Sequence, residues 1–269
     1  MNLNMKSAVM LGALLSVCSV TEASEDTGGI LLLDVSGSMG AVRTSSNADI
    51  FPTRCDLAKD IVLTKTTKFF NALQGDYLDV IAFDRSGHME SLTGGMREVG
   101  DFTSMQKYEF LGALETKLKT VSCNGSSTAL GDALCMAADQ LRENYVDGDD
   151  LHMMVVTDAE ENSSQVCGGN NYIEQYVRPK LEADPQIKLF YGYLRRGRLN
   201  LMPKTLVNTE TEAPLLMKMP TSLSKVNYVE QLKQLAIDTG GSYAVIYDDG
   251  ECEGSCEDIN NGGDDDIIW

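Results

Sequence analysis

The sequence predicts an α/β protein with a doubly wound, Rossmann-like, mostly parallel sheet and helices on both faces. Short apolar runs typical of buried strands alternate with longer segments of helical periodicity along the 269 residues. Two of the apolar runs end directly on an aspartate, Asp34 and Asp158. Strands separated by helices form right-handed crossovers and hence a parallel sheet. Since ligands bind beyond the carboxyl ends of such strands, both aspartates are expected at the functional edge.

The first strand is expected over 29–34, which is apolar throughout rather than alternating, as in a strand buried on both faces. A long helix is expected over 52–73, because Pro52 suits a first turn and apolar residues recur at helical spacing. Gly240 and Gly241 are expected to stop the last helix. The same periodicities predict strands over 77–83, 151–157, 187–194 and 243–247, an edge hairpin over 89–99, and helices over 108–121, 129–145, 171–183 and 226–239.

Residues 1–23 have the pattern of a secretory signal, with Lys6, an apolar stretch and a small-x-small ending at Ala23. The apolar stretch is shorter than the roughly 20 residues of a membrane-spanning helix. An exported chain without a membrane span is therefore predicted, periplasmic or secreted. A lipid anchor at Cys18 is the less favoured alternative. One domain is expected over 24–248, followed by a disordered acidic tail over 249–269.

The cysteines agree with export. Apart from Cys18 there are six, and an even number in an exported chain predicts up to three disulfides, with the pairing left open. Cys135 lies in an apolar helical pattern and is expected to be a buried free thiol. Zinc is not favoured, since Cys252 and Cys256 lack a second close pair of ligands.

The acidic net charge favours a cation as the ligand of this chain. The formal net charge is −18, and residues 248–269 hold nine acids and no base. This balance argues against nucleic acid or an anionic membrane as the main partner. A divalent cation is the more natural ligand of such a chain.

Five oxygen donors on three segments are candidates for one metal site. Asp34-Val-Ser-Gly-Ser brings the side chains of Asp34, Ser36 and Ser38 together if the chain turns at its glycine. Thr128 is expected at the head of a helix, and Asp158 follows a buried strand. Mg²⁺ prefers octahedral oxygen coordination with few carboxylates, so the set suits Mg²⁺, with Ca²⁺ or Mn²⁺ as alternatives. Helix capping and turn formation are the other explanation for these residue types.

At these residues the chain resembles a von Willebrand factor A (vWA) domain with its metal-ion-dependent adhesion site. The D-x-S-x-S run, Thr128 in a Gly-x-x-Thr-x-Leu context and Asp158 match that site, and "CDLAKDIV", "DVIAF" and "AIDTGGSYAVIY" follow in the expected order. The resemblance implies that Ser36, Ser38 and Thr128 bind the metal directly, while Asp34 and Asp158 act largely through waters or hydrogen bonds. It also implies a non-enzymatic binding domain whose protein partner supplies an Asp or Glu; the oligomeric state stays open.

Two departures from the family pattern affect the site. The loop over 41–53 is longer than the family needs, and Asp158 is followed by Glu160 and Glu161. The two glutamates are expected to be solvated loop charges, with masking of the metal as the alternative. A metal-dependent hydrolase with Asp34 as nucleophile is the rival hypothesis, although Ser36 stands where such enzymes carry a second carboxylate. A structural envelope or assembly subunit is the third.

Overall fold

The computed structural model describes residues 27–43, 50–72, 75–144, 150–158, 161–195, 227–249 and 251–256. Within them, eight strands form one sheet in the order β3-β2-β1-β5-β6-β7-β8, with β4 also paired to β2. The strands are β1 Thr27–Asp34, β2 Gly75–Phe83, β3 Met89–Ser91, β4 Arg97–Glu98, β5 Asp150–Thr157, β6 Ile187–Arg195, β7 Ser242–Tyr247 and β8 Cys252–Gly254. β1, β2, β5, β6 and β7 are parallel to one another, and β3, β4 and β8 run antiparallel at the two edges.

The helices cover both faces of the sheet, which confirms the predicted fold class. They are α1 Arg54–Ala72, α2 Ser104–Thr120, α3 Leu130–Glu143, α4 Arg178–Glu182 and α5 Tyr228–Asp238. One apolar cluster joins the sheet to α1 and α2, and a second joins its other face to α3, α4 and α5. The central strand shows why this sequence forms two layers. Ile30 and Leu32 point into one cluster and Leu31 and Leu33 into the other, all fully buried.

The strand register fixes where the polar residues meet. Asp34 lies opposite Phe83 of β2, and Leu33 lies opposite Val156 of β5. Because parallel strands end at a common edge, the residues that follow β2 and β5 lie beside Asp34. The predicted juxtaposition of Asp34 and Asp158 at the carboxyl edge therefore has its structural basis in this register.

The edge hairpin predicted over 89–99 is wrong. Its two short strands pair with β2, at Phe83↔Met89 and Tyr77↔Glu98, and not with each other. Residues 89–98 therefore form one interrupted edge strand, broken where Gly94 and Gly95 adopt positive φ angles of 84° and 104°. The helix expected over 171–183 starts with a π-helical turn at Ile173–Val177, ahead of α4.

The ordered fold extends beyond the boundary expected at residue 248. β8 pairs with β7 through Ile246↔Cys252, inside the segment predicted to be a disordered tail. A disulfide between Cys252 and Cys256 closes the turn that follows. Residues 257–269 lie outside the described residues.

All six cysteines beyond Cys18 are paired in three disulfides, which confirms the expected number. The pairs are Cys55–Cys123, Cys135–Cys167 and Cys252–Cys256. The expectation of a free thiol at Cys135 is wrong. Its partner lies on the loop after β5, 32 residues further along the chain, and no local pattern indicates that contact.

Several predictions fall on residues that the structure does not describe: the signal at 1–23, the lipidation alternative at Cys18, Glu160, and most of the connection 195–225. Among the helices that are described, none has the length and apolar character needed to cross a bilayer.

Candidate metal centre

The loop after β1 is held against the segment before α3. Gly37 donates its backbone N–H to the carbonyl of Gly125 at 2.7 Å, and Gly125 donates to the carbonyl of Val35 at 3.0 Å. Gly125 has no room for a side chain, because an added Cβ would lie 2.5 Å from the Cβ of Asp84. This close approach brings the two hydroxyl-bearing segments, at Ser36 and at Thr128, to the same place.

Asp34 lies beneath the centre and is fully buried. One carboxylate oxygen accepts a hydrogen bond from the Thr157 hydroxyl at 2.5 Å, and the other accepts one from the Ser36 backbone N–H at 2.8 Å. Burial raises the pKa of Asp34 to about 6, although these hydrogen bonds act in the opposite direction. An ionised carboxylate at this position is thus poorly solvated, and a nearby cation would stabilise it.

Ser36, Ser38 and Asp158 form a connected group. The two serine hydroxyl oxygens are 3.1 Å apart. The Ser38 hydroxyl donates to Oδ1 of Asp158 at 2.6 Å. Since Ser36 is buried and Ser38 is exposed, the group runs from the interior to the surface of one pocket.

Thr128 is positioned by a residue that the sequence did not single out. The Thr128 backbone N–H donates to Oδ1 of Asn162 at 2.8 Å, and the Asn162 N–H donates to the Thr128 carbonyl at 3.0 Å. Both backbone groups of Thr128 are thereby taken up, and its side chain lines the same pocket as Ser36 and Ser38. An Asn a few residues after a strand-terminal Asp is a weak sequence signal, which explains why it was missed.

A buried arginine joins the centre to the end of β7. Arg54 donates to Asp158 at 2.6 Å, and to both oxygens of Asp248 at 2.8 and 2.6 Å. The Arg54 side chain is 7% exposed and that of Asp158 is 0%. Arg54 opens α1, where the helix dipole disfavours a cation. No local sequence pattern indicates these contacts, because the partners of Arg54 lie 104 and 194 residues further along the chain.

Glu161 is not a solvated loop charge as predicted. Its carboxylate accepts hydrogen bonds from the backbone N–H groups of Gly131, Ser163 and Ser164, and from the Ser164 hydroxyl. Those four donors orient it toward the start of α3, where the helix dipole favours an anion. Glu161 therefore fastens the loop after β5 to α3.

The same loop is fastened again by Asp132. Its carboxylate accepts three backbone N–H bonds, from Gln165, Val166 and Cys167, and one from the Ser86 hydroxyl. Burial alone would raise the pKa of Asp132, but these hydrogen bonds hold it below its ordinary value. Together with the Cys135–Cys167 disulfide, they fix the rim of the pocket.

Four of the five predicted residues line one open pocket of about 740 Å³: Ser36, Ser38, Thr128 and Asp158. The fifth, Asp34, lies directly behind Ser36. No group of three or more His, Cys, Asp or Glu side chains arranged for a metal occurs in the described part of the chain. The predicted set is of another kind, with two carboxylates and three hydroxyls. Such hard oxygen donors fit a divalent cation that keeps several waters, as Mg²⁺ does.

Comparison with known proteins identifies the fold but not the family. No family model matches the chain, and no curated protein matches it. Among solved structures, the conserved hypothetical protein BatB from Bacteroides thetaiotaomicron is similar, with a TM-score of 0.50 and 19% identity over 82% of this chain and 90% of that one. The chain has a vWA-like fold. This conclusion rests on the BatB structure and on the sheet topology described above.

Two structures named as vWA domains are similar at slightly lower scores. A von Willebrand factor type A protein from Catenulispora acidiphila has a TM-score of 0.49 and 13% identity, over 82% of this chain and 39% of that one. The VWA domain of SpRpn10 has a TM-score of 0.49 and 10% identity, over 82% of this chain and 87% of that one. At such identities, structural likeness concerns the fold alone, and function has to be argued from the site.

Proposed function

We propose that this protein is an exported, non-enzymatic binding domain of the vWA type that engages an acidic side chain of a partner protein through a divalent cation. The observation that carries the proposal is the convergence of five oxygen donors from three loops at one open pocket. Mg²⁺ is the proposed cation, with Ca²⁺ and Mn²⁺ as alternatives.

The proposed ligands have distinct roles. Ser36, Ser38 and Thr128 offer their hydroxyl oxygens to the cation from the wall of the pocket. Asp158 orients Ser38 by accepting a hydrogen bond from its hydroxyl, and Asp34 fixes the turn by accepting one from the Ser36 backbone N–H. A bound cation would supply a Lewis-acidic position, and neutral hydroxyl ligands leave it with most of its charge. A partner carboxylate is the natural group to occupy the remaining position.

The contacts of Glu161 support an open metal position. Four hydrogen-bond donors already engage its carboxylate at the start of α3. Swinging it toward the cation would leave three backbone N–H groups without that acceptor, at a cost of about 1–3 kcal/mol for each group that stays buried. Masking of the metal by Glu161 is therefore disfavoured.

The hydrolase alternative is weaker, because Asp34 is fully buried and both its oxygens accept hydrogen bonds. A nucleophile has to reach the substrate, and Asp34 lies behind Ser36. The assembly-subunit alternative would use the fold without the cation. An assay against generic phosphate esters tests the first alternative, and comparing complexes in Mg²⁺ and EDTA tests the second.

The direct test is metal-dependent melting. Millimolar Mg²⁺ is expected to raise the melting temperature of the wild-type protein over that in EDTA by about 5–10 °C if the cation is near 100 times its Kd. Thr128→Val and Asp34→Asn should lose most of that increase. Thr67→Val is the matched control, because Thr67 donates to a carbonyl within α1. If the wild-type protein melts at the same temperature in EDTA and at every Mg²⁺ concentration measured, the proposal is refuted.

A further inference from the structure

The pocket has a second cationic residue on the strand beside the metal site. Arg195 is the last residue of β6 and lines the same pocket as Ser38 and Asp158. Tyr193 pairs with Thr157, so Arg195 lies two residues beyond that pair on β6, and Asp158 one residue beyond it on the neighbouring strand. Neighbouring strands are about 4.8 Å apart. A ligand seated on the cation therefore comes within reach of this guanidinium.

The charge of Arg195 contrasts with that of Arg54. Arg54 is buried and neutralised by Asp158 and Asp248. Arg195 is exposed, and within the described part of the chain it forms no ion pair. Its guanidinium carbon instead lies 6.0 Å from the ring centroid of Tyr247. Packing against an aromatic face restrains a guanidinium without using its N–H donors, which leaves them available to an anion.

We propose that Arg195 binds a second carboxylate of the partner, so that the preferred ligand is a peptide segment with two acidic residues. One carboxylate would coordinate the cation, and the other would accept hydrogen bonds from Arg195. This proposal rests on the proposed function, which supplies the first carboxylate. A planar guanidinium binds carboxylates in a bidentate manner, so arginine suits this role better than lysine.

The dimensions of the pocket suit such a segment. In an extended peptide, side chains two positions apart project from the same side at a separation of about 7 Å. A pocket of about 740 Å³ accommodates two acidic side chains with their intervening backbone at its mouth. Acidic residues two positions apart are therefore the expected spacing.

The test is a selection with a random linear peptide library displayed on phage, against the immobilised full chain in Mg²⁺, with elution by EDTA. The wild-type protein should enrich peptides with two acidic residues at the expected spacing. Arg195→Gln should enrich peptides with a single acidic residue. Arg97→Gln is the matched charge control, since Arg97 is exposed on β4 opposite Leu78, in the first half of β2 and away from the carboxyl edge. It should behave as the wild type.

Synthetic peptides from the selection give the quantitative readout. Arg195→Gln should weaken a two-acid peptide about fivefold and leave its one-acid variant unchanged. Equal enrichment of one-acid peptides by wild type and Arg195→Gln, eluted by EDTA in both cases, would overturn this inference and leave the proposed function standing. Failure of the wild type to enrich any EDTA-eluted peptide, together with identical melting in Mg²⁺ and EDTA, would overturn both.

Discussion

Arg54→Met is expected to be among the most destabilising substitutions near the candidate site. Arg54 places three donor atoms on two carboxylates, at distances of 2.6 to 2.8 Å, with its own side chain only 7% exposed. Methionine keeps much of the apolar length but leaves Asp158 and Asp248 without their cation. Removing one partner of a buried ion pair costs about 3–5 kcal/mol, because the remaining charge is neither solvated nor compensated. We expect a loss of that size in the free energy of unfolding, measured by urea denaturation in EDTA at neutral pH.

Arg178→Met is the matched control. Arg178 also contacts three carboxylates, those of Glu174, Glu182 and Asp238, but their side chains are 35–42% exposed. Exposed ion pairs contribute little to stability, so the control should lose clearly less stability than Arg54→Met. Equal losses in the two variants would contradict the conclusion that burial makes the Arg54 ion pairs more stabilising than exposed ones.

A double-mutant cycle separates the ion pair from the effects of packing. Asp248→Asn removes one of the two charges that Arg54 neutralises. In the double variant Arg54→Met/Asp248→Asn, the asparagine no longer carries an uncompensated charge. The combined loss should therefore fall short of the sum of the single losses by about 1–3 kcal/mol. Additive losses would contradict a direct interaction.

Two further predictions concern stability. Replacing Cys55 and Cys123 by alanine should lower the free energy of unfolding by about 4.4 kcal/mol, because this disulfide closes a loop of 68 residues. The same change at Cys252 and Cys256, which are 4 residues apart, should lower it by about 2 kcal/mol. Equal losses in denaturant unfolding would contradict this loop-entropy argument. Burial would raise the pKa of Asp150, but hydrogen bonds from His152 and Lys188 lower it from 3.8 to about 2. The ionised Asp150 carboxylate therefore stabilises the folded protein fully above pH 3.8, and this contribution is lost as the pH falls toward 2. Between pH 3.8 and pH 2, the urea midpoint of Asp150→Asn should fall less steeply than that of the wild type. Parallel curves would contradict a stabilising role of the ionised Asp150.

The parts of this molecule that the sequence predicted are those governed by local pattern. The continuous apolar run before Asp34 specified a strand buried on both faces, and the two apolar clusters on either side of β1 confirm it. The D-x-S-x-S spacing placed Ser36 and Ser38 beside each other, as their 3.1 Å oxygen separation shows. Metal binding by these oxygens stays a prediction, which melting in Mg²⁺ and in EDTA tests.

The features that were missed depend on contacts between distant segments. Arg54 and Asp248 are 194 residues apart, and the partner of Cys135 lies on another loop. Neither contact leaves a periodicity in the sequence. Glu161 is different, since three of its four donors belong to Ser163 and Ser164, and only the Gly131 N–H comes from the start of a helix 30 residues earlier. The antiparallel strand β8 was missed because acidic composition outweighed its short pattern.

The long-range contacts of the centre also bear on how it responds to unfolding. The hydrogen bond from Ser38 to Asp158 joins residues 120 positions apart, and that from Thr157 to Asp34 joins residues 123 positions apart. The bond from Arg54 to Asp158 spans 104 positions. Two of these bonds join the carboxyl end of β1 to that of β5, and the third joins the start of α1 to the residue after β5. No single segment can therefore form the site by itself, and displacing the end of β5 breaks all three bonds. Cation binding should consequently stabilise the assembled sheet edge as a unit, and the effect of metal should appear in global unfolding as well as at the rim.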